Sequence, residues 1–534
     1  MKKYIYSIAV ALLLSTTSFA QNTTPKEIDL KTWQHLSYDD NGIYGVNTQK
    51  ALDFLKSKNR KGQPFIVAVL DSGVEVTHED LKDNIWVNPK KNKNGKNNSE
   101  YVNDVNGWNF IGGKDGKNVD ADTLELTREL AKNKAFFETD KDAEANKTKY
   151  ASQYEYYLKL KKEYENELAE AKQYLSQYTS IYNNLQKPVQ ALVNDIGDKV
   201  LTEEFMLSYT PNSDEAKQGM ILFAMVPPEA WKGKKMSEFG NEFLEEINGG
   251  IKHFKNQIDY NLNLTYDPRP IVGDDYNNKK EKFYGNNDVD GPDSNHGTHV
   301  SGIIAAKRNN GLGIDGIAGD GNVKIMSVRT VPNGDERDKD VANAIRYAVD
   351  NGAKVLNMSF GKAYSPDKEI VWDAFKYAQD KGVLLIKAAG NDNLNIDVDV
   401  HYPTLYNENG VAVSNNVITV GSSTSNVEDL KSNFSNYGKK SVDVFAPGSD
   451  IYSSIPTKDG KYKSNSGTSM ASPVVAGVAA LVWSHYPELN YQQVKEIILE
   501  SVNKNDQLTE ISVTGGVVDA YKAVQLADKK VNKK

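Results

Sequence analysis

Short aliphatic runs, rich in β-branched residues and bounded by turn residues, recur along this chain and constrain its fold more than any other feature. Pro64-Phe65-Ile66-Val67-Ala68-Val69-Leu70 ends abruptly at Asp71-Ser72-Gly73; Val323 to Val328, Val355 to Met358, Gly382 to Ala388 and Val417 to Val420 follow. A run that is apolar throughout, rather than alternating, suits a strand buried on both faces of a parallel sheet. Helical patterns occupy Asp338 to Asn351, Ile370 to Lys381 and Ser469 to His485. Alternating strands and helices predict an α/β protein: a three-layer α/β/α arrangement around a mostly parallel central sheet. Ligands of such sheets sit beyond the carboxyl ends of the strands, and Asp71 stands at one such end.

Residues 118–275 interrupt this rhythm. Charge and tyrosine dominate there and the strand signal vanishes. Tyr154, Tyr157, Lys161, Tyr164, Leu168, Ala171, Leu175, Tyr178, Tyr182 and Leu185 follow alternating steps of three and four. That seam predicts a long amphipathic, coiled-coil-like helix packed on a second helix of the same insertion. A packed helical hairpin is the simpler reading; an arm that binds a protein partner or restricts substrate is the sharper one. The 534 residues are enough for a large domain carrying such an insertion.

The chain has no cysteine, which removes a thiol nucleophile, a thiolate metal site and any disulfide framework. A formal charge of −8 argues against a dedicated nucleic-acid binder, which usually shows a basic face. Residues 1–20 read as a secretory signal: Lys2 and Lys3, an apolar run from Ile5 to Leu14, then Ser18-Phe19-Ala20 before Gln21. No later stretch is apolar enough to span a membrane. The expected mature protein is exported, periplasmic or extracellular.

Three segments carry the chemistry: Leu70-Asp71-Ser72-Gly73 with Thr77-His78-Glu79-Asp80 behind it, Asn295-His296-Gly297-Thr298-His299, and Ser466-Gly467-Thr468-Ser469-Met470-Ala471-Ser472-Pro473. Each alone also reads as a turn, a helix start or an N-cap, and His296 with His299 as half of a metal site. Together they suit acyl transfer. Serine is a weak nucleophile until a base takes its proton, histidine is a base near neutral pH, and a carboxylate on the other ring nitrogen fixes the tautomer.

In order and in residues, these segments resemble the subtilisin-like serine peptidases, or subtilases; Gly467 to Pro473 matches the family's nucleophile motif throughout. The resemblance implies that Asp71 orients, His296 is general base and acid, and Ser469 attacks, in an exported serine endopeptidase acting on polypeptides. It implies Asn391, in Ala388-Ala389-Gly390-Asn391, as an oxyanion donor beside the Ser469 backbone N–H. It also implies substrate walls at Ser359-Phe360-Gly361 and Ala388-Ala389-Gly390, neither charged, hence an apolar or broad preference. A structural Ca²⁺ is implied at Asp80 with Arg308, Asn310, Leu312 and Ile314, where oxygen ligands suit a hard cation. The competing readings are a catalytically inactive relative that binds peptides or a partner, and a metal hydrolase built on His296 and His299.

The expected organisation is a signal peptide at 1–20, an N-terminal extension at 21–60, a first peptidase part at 61–117, the helical insertion at 118–275 and a second peptidase part at 276–534. The insertion departs from the family, whose Asp and His segments are usually a few dozen residues apart. The extension is also too short, at about 40 residues, for a prodomain with its own core.

Overall fold

The computed structural model describes residues 29–89 and 101–532. The signal-like residues 1–20 and the start of the extension lie outside them. Two compact units make up the chain, one holding Thr127–Thr265 and the other Lys26–Leu126 with Tyr266–Lys534.

The second unit is built on the aliphatic runs. Its strands are β1 Phe65–Asp71, β2 Gly107–Asn109, β3 Val323–Arg329, β4 Val355–Met358, β5 Leu384–Ala388, β6 Val417–Ser423, β7 Val444–Pro447, β8 Ile451–Ser454, β9 Tyr462–Asn465, β10 Asn503–Lys504 and β11 Gly516–Val517. Nine form one sheet in the order β10-β11-β7-β6-β5-β4-β1-β3-β2, and β8 and β9 form a separate antiparallel pair. Only the β10–β11 pairing of the large sheet is antiparallel. The central strands are buried at nearly every position, as unalternating apolar runs require.

Helices cover both faces: α1 Thr48–Ser57, α2 Asn295–Ala305, α3 Asp338–Asp350, α4 Lys368–Asp380 and α5 Thr468–His485. Helix α5 is buried along almost its whole length and packs on β4 to β7 and on α2. One core joins α1, α2 and α5 to the sheet face formed by Val67, Val69, Leu384 and Ile386. Helices α3 and α4 close the other face over Ala68, Leu70, Leu356 and Leu385. The extension shares the first core through Trp33, Val46, Ala51 and Leu55, and the Trp33 indole N–H donates to the Ser449 carbonyl at 3.2 Å. Because β1, β4 and β5 are adjacent and parallel, Asp71, the 359–361 segment and the 388–391 segment line one edge of the sheet.

In the other unit, the tyrosine-rich seam lies on a 46-residue helix, Ala151–Ile196, packed against Met236–Asn256. Phe254 stacks on Tyr174 and tilts on Tyr178, with ring centroids 5.0 and 5.5 Å away. Gly250 lets the helices approach, since a Cβ there would lie 2.2 Å from Tyr178 Cε1. No helix among the described residues is long and apolar enough to cross a membrane.

Candidate active site

Asp71 ends β1 with its side chain almost fully buried. Its Oδ1 accepts the Ser72 backbone N–H at 2.8 Å and lies 2.7 Å from His296 Nδ1. His296 stands in the first turn of α2, and Gly297 permits the approach. A Cβ at 297 would lie 2.1 Å from the Gly73 carbonyl oxygen and 3.1 Å from Asp71 Cβ, so any other residue drives the helix off the turn. With Nδ1–H donating to the carboxylate, Nε2 is left as the basic nitrogen of a side chain that is 40% exposed. Burial pulls this imidazole down, but the Asp71 charge and hydrogen bond, with Asp293 behind them, outweigh it and the net shift is upward.

Ser469 is the second residue of α5. Its Oγ donates to the Ser359 carbonyl at 3.0 Å, and Ser359 Oγ donates to the Ser469 carbonyl at 2.8 Å. The serine is therefore locked to the 359–361 segment, and no hydrogen bond joins it to His296 among the described residues. Asn357 Nδ2 donates to Ser359 Oγ and Ser472 Oγ donates to Asn357 Oδ1, which pins the same segment to α5 from below.

Asn391 faces the start of α5. Its Oδ1 accepts from Thr468 N at 2.8 Å and from Thr468 Oγ1 at 2.9 Å. A backbone N–H can only donate, so the facing atom is the amide oxygen and Nδ2 turns outward. The position of a Cβ on Gly467 lies 3.5 Å from Asn391 Nδ2 and 3.6 Å from Ser469 N. The Asn391 amide nitrogen and the Ser469 N–H thus lie near one another at the start of α5, where two such donors could serve a developing oxyanion.

The remaining sequence-predicted residues fall into two groups. Ser359-Phe360-Gly361 and Ala388-Ala389-Gly390 follow the neighbouring strands β4 and β5. Phe360 is buried in the α3–α4 core, so its ring is not exposed between them. Around fully buried Asp80, Oδ1 accepts from Asn310 Nδ2 at 2.7 Å and Oδ2 from Ile314 N at 3.2 Å, while Asn310 Oδ1 accepts from Leu312 N at 2.9 Å. The carbonyls of Arg308, Leu312 and Ile314 accept no hydrogen bond among the described residues. One carboxylate with neutral oxygens fits a hard cation such as calcium, with the Asn310 amide turned to present oxygen. No cluster of three or more His, Cys, Asp or Glu at metal-binding spacing occurs among the described residues. His299 points away from His296: its Nε2 donates to the Lys463 carbonyl at 3.0 Å, and burial pushes it down to about 3.

Sequence reasoning gave no role to Thr468 or to the Ser359 hydroxyl. Thr468 was legible inside the nucleophile motif; the Ser359 pairing depends on strand register, which no local pattern carries.

The subtilase family profile matches residues 62–517. The chain belongs to the subtilase family. This subtilase is 40% identical over 246 residues to a thermophilic serine proteinase of Bacillus sp. (strain AK1), spanning 45% of this chain and 54% of that protein. It is 42% identical over 236 residues to thermitase of Thermoactinomyces vulgaris, spanning 43% of this chain and 75% of thermitase. The matched region is thus about half the length of the first relative. Among solved structures, a protease of Pseudoalteromonas arctica PAMC 21717 aligns over 94% of this chain and 100% of its own at 20% identity, with a TM-score of 0.49.

Proposed function

We propose that this subtilase is an exported serine endopeptidase that cleaves polypeptides through Asp71, His296 and Ser469. The observation that carries the reading is the 2.7 Å Asp71–His296 contact, formed between residues far apart in sequence at the sheet edge where Ser469 and Asn391 also stand. In this mechanism a peptide lies extended along the 359–361 and 388–390 segments. Ser469 Oγ turns from the Ser359 carbonyl, gives its proton to His296 Nε2 and attacks the scissile carbonyl. Asp71 stabilises the imidazolium, while Asn391 Nδ2 and Ser469 N hold the oxyanion. His296 then protonates the leaving amine; water, deprotonated by His296, attacks the acyl carbonyl, and His296 returns that proton to Ser469 Oγ as the ester bond breaks and the acid leaves.

The second reading is an inactive peptide-binding relative, and one observation favours it: the Ser469 hydroxyl is bonded to Ser359 rather than to His296. Catalytic hydrogen bonds often tighten only when substrate is bound, and all the groups the chemistry needs are present. Casein cleavage and fluorophosphonate labelling of the wild type, both lost in Ser469→Ala, are the expected results. A wild type that shows neither selects the binding reading.

The Asp80 loop is proposed to hold Ca²⁺ through the Asp80 carboxylate, Asn310 and the carbonyls of Arg308, Leu312 and Ile314. The cation would brace the end of α2 and leave the chemistry to the triad. Its mark is a melting temperature that rises with millimolar Ca²⁺ in the wild type and not in Asp80→Asn. The Thr127–Thr265 unit is proposed to limit access or recruit a protein partner. Its removal should raise activity on a folded protein relative to a short peptide, and an unchanged ratio counts against that role.

A further inference from the structure

Behind the proposed substrate walls lies a polar group that the mechanism does not use. Gly361 ends one wall, Gly390 ends the other, and both press on the same side chain. A Cβ on Gly361 would lie 2.1 Å from His401 Cε1, and one on Gly390 would lie 2.9 Å from His401 Nε2. The imidazole therefore bridges the walls and floors the space between them. Its Nδ1 is buried without a hydrogen-bond partner among the described residues.

Lys387 stands on β5 immediately before the 388–390 wall, paired in register with Met358, the residue immediately before the other wall. It is 2% exposed, yet among the described residues it makes no ion pair. An ammonium buried without a counter-ion is expensive to hold, so its place at this strand end needs an explanation. The carboxylates that act on it are Asp443 and then Glu336, both beyond ion-pair distance. Asp443 is engaged elsewhere, its Oδ2 accepting from Thr419 N at 2.8 Å, and it also feels Lys495. Burial pushes the Glu336 carboxyl well above the ordinary glutamate range, and the largest charge acting on it is that of Lys362, so it is a weak counter-ion for Lys387. Lys387 itself is drawn down to about 8 by burial and stays mostly protonated there. Burial, with the Lys387 charge beside it, holds His401 down to about 3, so the imidazole is neutral and able to donate through one nitrogen. No carboxylate among the described residues reaches ion-pair distance of Lys387, so a carboxylate entering between the walls would meet an ammonium that has no direct partner.

We propose that this floor selects substrates with aspartate or glutamate immediately before the scissile bond, Lys387 supplying the charge and His401 a hydrogen bond. The wall residues alone pointed to an apolar or broad preference; the difference comes from the two side chains behind them. The inference rests on the peptidase reading above.

The test is a peptide library with all residues equally represented, cleaved by wild type, Ser469→Ala, Lys387→Met and His401→Ala. The expected result is Ser469-dependent cleavage mainly after acidic residues. In Lys387→Met, kcat/KM for a glutamate substrate should fall about tenfold or more relative to its leucine counterpart, the factor for losing one charge-assisted contact. Ser469-dependent cleavage mainly after apolar, small or basic residues overturns the inference and leaves the peptidase reading intact. An unchanged glutamate-to-leucine ratio in a folded Lys387→Met also overturns it. No Ser469-dependent cleavage at all overturns both. If Lys387→Met does not fold, the wild-type profile and His401→Ala decide.

Discussion

Asn391 offers a test in which stability and activity should rank in opposite orders. Its Oδ1 accepts two hydrogen bonds from Thr468, and its Nδ2 borders the volume beside Ser469 N. Asn391→Asp keeps both acceptor contacts and replaces the outward donor with a negatively charged acceptor. Asn391→Ala deletes everything, leaving Thr468 N without its partner at a cost of about 1–3 kcal/mol. The aspartate variant should therefore melt close to wild type and the alanine variant several degrees lower. Catalysis should run the other way. Losing one oxyanion donor costs about 10²–10³ in kcat, or about 3–4 kcal/mol, and this is the expected loss for alanine. Aspartate loses the donor and adds repulsion against the developing oxyanion. Two unit charges about 4 Å apart interact by about 4 kcal/mol at an effective dielectric of about 20, so its kcat should fall below that of alanine. KM should change little in either, because the amide is aimed at charge that exists only in the transition state. Steady-state kinetics on a chromogenic peptide with thermal melts of the same samples decide it. A folded Asn391→Ala with kcat within about threefold of wild type, or an aspartate variant as active as alanine, refutes the assignment.

Other consequences are as direct. Asp71→Asn should lower kcat by about 10⁴. Because Asp71 is what raises the His296 pKa, the acid limb of its residual pH profile should move to lower pH; an unmoved limb contradicts the pairing. Gly297→Ala should destabilise the fold by about 1–3 kcal/mol through the clash with the Gly73 carbonyl, and an unchanged melt rejects that packing. His299 is neutral in the folded chain, pushed from 6.5 down to about 3, while the unfolded chain takes up the proton near 6.5. Its contribution is thus intact above about pH 6.5 and is lost by about 1.4 kcal/mol per pH unit as pH falls toward 3. His401 and His35 are depressed in the same way and add to the fall, so His299→Gln should lessen the loss of urea stability below about pH 6.5 by one such slope rather than abolish it.

What the sequence exposed depended on how local the physics was. The strands were legible because burial on both faces leaves no room for polar alternation, and β1 and β3 to β6 all appear where the aliphatic runs lie. The short strands β2, β10 and β11, at two or three residues each, carry no such pattern and form only because neighbours present free edges. The chemistry was legible where it sits in contiguous motifs at strand and helix ends. His401 was not. It gains its place only because Gly361 and Gly390, on segments after adjacent strands, both lack side chains where the imidazole lies. The charge of Lys387 could be read from the sequence, but not its burial, because a single lysine closing an aliphatic run reads as the end of a strand.

The roots of the insertion show how a core can keep its register around so large an excursion. Residues 118–126 and 266–275 belong to the sheet-bearing unit, and buried ion pairs fix both. On the outgoing root, Asp122 receives two hydrogen bonds from Arg337 at 2.7 and 3.0 Å, and Glu125 receives Lys362 Nζ at 2.8 Å. On the returning root, Arg269 bridges Asp274 and Asp340, each at 2.6 Å, and Lys339 reaches Asp274 at 2.6 Å. Lys362 also pairs with Asp338 at 2.8 Å. Both roots are thus held by the short stretch Arg337 to Asp340 at the start of α3, so the chain leaves and re-enters at one place. The closure entropy of a long loop grows only with the logarithm of its length, so the core can keep its register across the excursion. Such pairs add little net stability over apolar packing, but removing one partner strands a buried charge at about 3–5 kcal/mol; they act as a latch on position. Lys362 directly follows Gly361, so the latch and the proposed substrate wall share one backbone segment. A deletion that probes the insertion must therefore cut between Thr127 and Thr265: a cut that takes Glu125 would remove one of the two carboxylates paired with Lys362 and disturb the proposed wall next to it, so that lost activity would say nothing about the excised helices.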